Sequence, residues 1–291
     1  MNTSRRTFLL TSAAALLAKA PAGGWKNHIG LELYTVRDLL AKDFEGTIAK
    51  VAEIGYTEVE PVGYGNLDPK QFRALLGRYK LTAPSTHAGV DAGPGMEKQL
   101  EERQIMGIQY TEVHFKPAPG MADAEAVKRT AALYNEQGKT LKKFGMKALI
   151  HNHTQEYEFF KDSKLRPQDV LLAETDPATV TMQLDIGWAS VAGQNILEMF
   201  KKNPGRFELW HVKDATGIKG IDPALGPNDR RKATKLTTVG SGDIDYKPIF
   251  AKADQAGLKH FCIEQDNAAE GGADSLANAR TSFVYLKKLL S

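Results

Sequence analysis

Residues 148–160 read ALIHNHTQEYEFF. An apolar run stops at His151, and His153, Glu156 and Glu158 follow within eight residues. Imidazoles and carboxylates gathered where a strand ends are the ligands of a divalent cation or the partners of a proton transfer. The same residue types recur at other strand ends: Glu60, His87, His114, Asp185, His211, Lys213 and Glu264. Strand side chains alternate, so His151 shares a face with His153, Gln183 with Asp185, His211 with Lys213, and Cys262 with Glu264. Each residue alone is an ordinary polar strand end. Together they offer one acid or imidazole from each of the last four strands, a donor set suited to Mn²⁺, Zn²⁺, Co²⁺ or Fe²⁺. No HExxH helix or cysteine cluster points to a metalloprotease or a structural zinc site, and no GxSxG elbow points to a serine hydrolase. Nothing around His114 singles it out, and Cys262 is expected to pack inside the fold.

The elements that must position these residues alternate between two periods. Strands are expected at 28–34, 56–62, 81–87 (weakened by Pro84), 110–115, 147–153, 179–187, 207–214 and 260–266. Asp43 caps a helix whose face carries Phe44, Ile48, Val51 and Ala52. Asp68 with Pro69 is a strong helix start. A polar helix is expected around 96–106 and the clearest one over 123–144, stopped by Gly145. Further helical patterns lie at 195–202, 245–256 and 273–290. Residues 214–244 read as a long connection without clear structure, with Arg230, Arg231 and Lys232 as a solvated charge run.

Eight strand–helix units predict one closed parallel (β/α)8 TIM barrel over residues 28–290. A doubly wound sheet would need a glycine-rich phosphate turn after an early strand, and none is present. In such a barrel chemistry sits at the carboxyl ends of the strands, where these polar residues fall.

The chain has 291 residues and a formal charge of +3. Residues 1–20 hold Arg5, Arg6 and Lys19 and no acid, so the remaining 35 basic residues (38 less 3) balance 35 acidic ones. A neutral body has no overall field for a phosphate backbone, and no nucleic-acid partner is expected. The single cysteine excludes an internal disulfide. SRRTFLL, followed by a short apolar run and Ala18-Lys19-Ala20, resembles a twin-arginine export signal. Residues 1–20 are therefore expected to direct export of the folded chain to the periplasm, with no membrane association once they are removed.

The elements GYTEVE, HNHTQEYEF, QLDIGWA, WHVKD, GSGDIDY and CIEQD, in that order, resemble the xylose-isomerase-like barrel superfamily over nearly all of residues 28–290. That group holds sugar isomerases, ketose 3-epimerases and inosose dehydratases, with endonuclease relatives. The resemblance implies one divalent metal held from strands five to eight, with manganese favoured and zinc, cobalt, iron(II) or magnesium as alternatives. Asp185, His211 and Glu264 carry over as ligands. Where the family often reads Glu-Asn-His, this chain reads His151-Asn152-His153, so His151 falls at the first ligand position and His153 competes with it. The implied activity is metal-dependent isomerisation or epimerisation of a keto-sugar by proton abstraction beside a carbonyl. The alternative is a lyase or hydratase acting on a keto-sugar or 3-keto-glycoside, ahead of an endonuclease or a sugar-binding protein. With a histidine in place of a metal-bound glutamate, one-sided chemistry is favoured over two-sided epimerisation. Glu156, His153 and Lys213 are the candidate acid/base groups. Glu60, His87, Glu158 and Trp188 are the candidate contacts to a small carbohydrate, and Tyr64 is a second aromatic that could stack on it.

Overall fold

The structure, a computed structural model, describes residues 24–116 and 118–291. The leader expected at residues 1–20 lies outside the described residues. Among the described residues no helix is long and apolar enough to cross a membrane.

Eight strands form one sheet: β1 (Ile29–Glu32), β2 (Glu58–Glu60), β3 (Ser85–Asp91), β4 (Tyr110–His114), β5 (Lys147–His151), β6 (Val180–Asp185), β7 (Leu209–Val212) and, after a separate hairpin of β8 (Asp214–Thr216) and β9 (Lys235–Thr237), β10 (His260–Ile263). Their order is β2-β1-β10-β7-β6-β5-β4-β3, with parallel neighbours throughout. A parallel bridge between Glu58 and Thr82 joins β2 to the chain entering β3 and completes the ring. This is the expected (β/α)8 barrel.

The helix signals hold where a side chain caps the start. Asp43 accepts from Gly46 N and begins Phe44–Ile54. Asp68 and Gln71 form a capping box ahead of Pro69–Arg78. Asp123 begins Ala124–Lys143, and the polar helix is Met96–Met106. Two expectations change. The third strand begins after Pro84, because proline has no N–H to give the ladder, and the Pro84 carbonyl instead accepts from Gln109 N and Tyr110 N. The 214–244 connection is not structureless. It contains the β8–β9 hairpin and the helix Pro227–Ala233. Asp214 organises it by accepting from Ala215, Gly240, Gly242 and Ile244 N–H groups at 2.9–3.2 Å. GSGDIDY is thus a loop folded around a buried carboxylate.

Most of the core lies between sheet and helices, where Trp25, Phe250 and Phe261 pack together and Trp210 stacks on Phe200. A separate cluster of Tyr110, Leu149 and Leu209 fills the barrel interior. Cys262 is buried opposite Gly30, where a side chain on residue 30 would meet its Sγ at 2.6 Å. Truncating Leu149 to alanine would cost about 2–5 kcal/mol, since a closed ring collapses poorly on a void. Alternation then carries the next inward residues, Glu60, His151, Gln183 and His211, to the carboxyl rim.

Candidate active site

Glu60 lies at the centre of the rim. It is fully buried, and its carboxylate meets His211 Nε2 at 2.9 Å, Gln183 Nε2 at 2.7 Å, and the Ser85 hydroxyl and His87 Nδ1 at close range. Burial opposes its ionisation, but the charges and hydrogen bonds of His211 and His87 outweigh that and hold it well below the usual carboxylate range. Burial likewise works against charge on His87, which Glu60 nonetheless lifts to about 9. The expectation that Glu60 contacts substrate is corrected: its acceptor sites are taken by protein donors, and it orients histidines instead.

With Nε2 directed at Glu60, His211 turns Nδ1 toward Glu264. Nδ1 lies 2.6 Å from Glu264 Oε2. Asp185, His211 and Glu264 bring one donor atom each within 4.8 Å of one another, and all three residues are buried. His87, His151 and His211 form a second such group sharing His211. Asp185 Oδ2, His211 Nδ1, Glu264 Oε2 and His151 Nδ1 are buried without a well-aligned hydrogen bond. Both oxygens face the Lys213 ammonium, Asp185 Oδ2 at 3.1 Å and Glu264 Oε2 at 3.0 Å, so buried positive charge already balances them and a divalent ion would share them with it. The donor set fits a divalent ion, and a carboxylate behind the ligating imidazole is how proteins fix such a ligand's orientation. His151 is the strand-five candidate beside the set, with Nε2 3.9 Å from Asp185 Oδ2. Burial, and then the neighbouring His211, His87 and Lys213, keep His151 neutral, as a ligand must be.

The backbone around these atoms explains their placement. Asn152 bridges β5 to β6, accepting from Asp185 N at 3.0 Å and donating to Asp185 O at 3.3 Å. Asp185 Oδ1 caps the short helix Ile186–Val191 through Trp188 N at 2.7 Å, leaving Oδ2 for the site. Gly187 lets that helix close onto the end of β7, since a Cβ there would lie 2.5 Å from Lys213 Cβ.

Lys213 is not a base in this arrangement. Its ammonium is buried, 3.1 Å from Asp185 Oδ2, 3.0 Å from Glu264 Oε2 and 2.8 Å from Asp266 Oδ1. Burial would lower its pKa, but the three carboxylates win and raise it. Glu156 is buried, which raises its pKa, and its Oε2 accepts the His153 N–H at 2.7 Å. It shapes the turn rather than facing the ligands. Glu158 accepts from Asn228 N at 2.9 Å and pins the start of helix Pro227–Ala233. Glu158, expected as a substrate contact, tethers that helix through Oε1. His153 stays beside the cluster, its ring 4.8 Å from that of His151 and 6.4 Å from Trp188, and burial lowers its pKa. Trp188 is itself buried against Val191 and Ala215, and so is no open stacking platform. Tyr64 belongs to the core, packed on Phe72 and bonded to Thr86.

Three more acids join the site, of which only Asp266 lies in a quoted motif, as the last residue of CIEQD. Glu32 is buried at the end of β1, its pKa raised by burial and then by Glu264. Glu112 on β4 lies 3.5 Å from His87 Nε2. Asp266, raised to about 6 by burial against the pull of Lys213, completes the lysine's carboxylate shell. For Glu112 the signal was available, because it shares a face with His114. His114 itself is half exposed and pairs only loosely with Glu112, at 3.7 Å.

Comparison with known proteins shows the family and the fold. The family described as xylose isomerase-like TIM barrel matches residues 48–289. An inosose dehydratase of Geobacillus kaustophilus is 24% identical over 270 residues, 84% of this chain and 86% of that protein. Another, of Geobacillus thermodenitrificans, is 30% identical over 118 residues, 38% of this chain, and the match spans only 40% of that protein's length. A solved sugar phosphate isomerase/epimerase from Parabacteroides distasonis superposes with a TM-score of 0.71 at 21% identity, covering 96% of this chain and all of that one.

Proposed function

The chain belongs to the xylose isomerase-like TIM barrel family, and on that premise we propose that it is a metal-dependent enzyme that removes a carbon-bound proton beside the carbonyl of a keto-carbohydrate. The observation that carries this reading is the convergence of Asp185 Oδ2, His211 Nδ1 and Glu264 Oε2, all buried and within 4.8 Å of one another, at the carboxyl rim of the barrel.

Asp185, His211 and Glu264, with His151 beside them, would hold one divalent ion. The mixed carboxylate–imidazole set suits several such ions; the family resemblance favours manganese, with zinc, cobalt, iron(II) or magnesium as alternatives. When bound, the ion supplies Lewis-acid polarisation of a carbonyl. Glu60 keeps the His211 ring from turning. Lys213 balances the negative charge of Asp185, Glu264 and Asp266. His153 is the group left to accept the proton at a ring nitrogen, since burial keeps its imidazole neutral. Glu156 holds the backbone that carries it.

Elimination is favoured over isomerisation, and both over two-sided epimerisation. His151 stands where a second metal-bound carboxylate would be needed for acid/base work on both faces, and the relatives matched over most of the chain are named dehydratases. A keto-sugar or 3-keto-glycoside losing water or an alkoxide fits this reading. The Arg5-Arg6 leader supports a periplasmic location for the reaction.

Turnover in D₂O with metal-loaded protein tests the reaction. Isomerisation should place solvent deuterium beside the carbonyl. Elimination should show a primary isotope effect with substrate deuterated there. Phosphodiester cleavage, or sugar binding without either signature, would refute it.

A further inference from the structure

The Arg230-Arg231-Lys232 run does not behave as one solvated face. Arg230 Nε donates to Val191 O at 2.9 Å, and Lys232 pairs with Asp229 at 2.8 Å. Arg231 does neither. Its guanidinium carbon lies 4.5 Å from the centre of the Trp188 ring, and among the described residues no hydrogen bond or ion pair reaches its guanidinium. Trp188 is 5% exposed, and its Nε1 has no hydrogen-bond partner among the described residues. The same ring stands 6.4 Å from His153 and 5.5 Å from Lys213 Nζ. An uncommitted cation and an unpartnered N–H thus sit one ring away from the proposed base.

The helix bearing Arg231 is fixed to the barrel mouth rather than loose above it. Glu158 holds Asn228 N, Thr154 Oγ1 lies 3.2 Å from Asn228 Oδ1, and Arg230 ties the helix to Val191. The Arg231 backbone is therefore held at the barrel mouth, with its side chain exposed.

We infer that Arg231, lying over the Trp188 ring, is a specificity-determining residue and that the substrate is a carbohydrate carrying a carboxylate; the inference rests on the reaction proposed above. A guanidinium without a hydrogen-bond partner keeps its N–H donors free, and two parallel donors match a planar carboxylate. A phosphate dianion calls for more positive charge than one arginine provides. The neighbouring ammonium, Lys213, is already enclosed by Asp185, Glu264 and Asp266. A single monoanionic group balances Arg231.

Calorimetric titration of the manganese-loaded protein with D-glucuronate and D-galacturonate, against D-glucose and D-galactose, tests this. At least one hexuronate should bind about ten-fold or more tightly than its neutral parent, the size expected of a charge-assisted bond. Arg231→Gln should erase the preference with metal content unchanged, and Arg231→Lys should keep part of it by retaining charge without the fork. Equal binding of acid and parent, absence of any hexuronate binding, persistence of the preference in Arg231→Gln, or tighter binding of D-glucose 6-phosphate than of the hexuronates would each overturn the inference. Metal analysis of the same samples separates the two readings. A protein that holds metal but shows no preference refutes the carboxylate, whereas one that shows the preference but takes up no metal refutes the proposed reaction.

Discussion

Glu60 Oε1 lies 2.9 Å from His211 Nε2, and this contact decides which nitrogen of the histidine faces Asp185 and Glu264. The two residues are 151 positions apart on strands β2 and β7. Replacing Glu60 by glutamine keeps the shape but allows the amide to present N–H where the imidazole needs an acceptor. Glu60→Gln should weaken metal binding by about 10–100-fold, the usual effect of losing the partner behind a ligating histidine. Competition against a fluorescent chelator measures it, and unchanged affinity would show that His211 is oriented by something else.

Asp185→Ala removes an oxygen of the proposed metal site and the cap of helix Ile186–Val191 together. Elemental analysis should find most of the metal gone. Asp185→Asn retains a capping oxygen, so it should fold like the parent while still losing metal. Full metal content in both variants would remove Asp185 from the ligand set.

Lys213→Met leaves Asp185, Glu264 and Asp266 crowded without their cation. Breaking a buried ion pair from one side costs about 3–5 kcal/mol. A divalent ion supplies charge to the same carboxylates, so added Mn²⁺ should raise the melting temperature of Lys213→Met more than that of the parent. Equal shifts would mean that lysine and metal do not share those oxygens.

His153→Asn should lower turnover by roughly 100-fold or more with metal retained, as loss of a general base does. Glu156→Gln, which still offers an oxygen to the His153 N–H, should cost far less. The reverse ranking, read from initial rates on a deuterium-labelled substrate, would make Glu156 the base.

Replacing Arg5 and Arg6 with lysines should abolish export of the folded chain, followed by fractionating periplasm from cytoplasm. Undiminished export in that variant would count against the leader and the proposed location.

Strand count, helix starts and the polar strand ends were legible in the sequence because they are local. Period follows from backbone geometry, and Asp43, Asp68 and Asp123 cap donors only two or three residues away. Alternation also put His151, His211 and Glu264 on inward faces. The 214–244 hairpin escaped notice because its strands are three residues long and depend on Asp214 gathering distant glycine N–H groups. What each polar group does was decided only by closure of the ring. Glu60 reads as a substrate contact until Ser85, His87, Gln183 and His211 arrive to occupy it. Lys213 reads as a possible base until three carboxylates from β6 and the end of β10 surround its ammonium. Charge state and free lone pairs depend on neighbours supplied by strands far apart in the chain, and only the stagger of a closed barrel determines which of them meet.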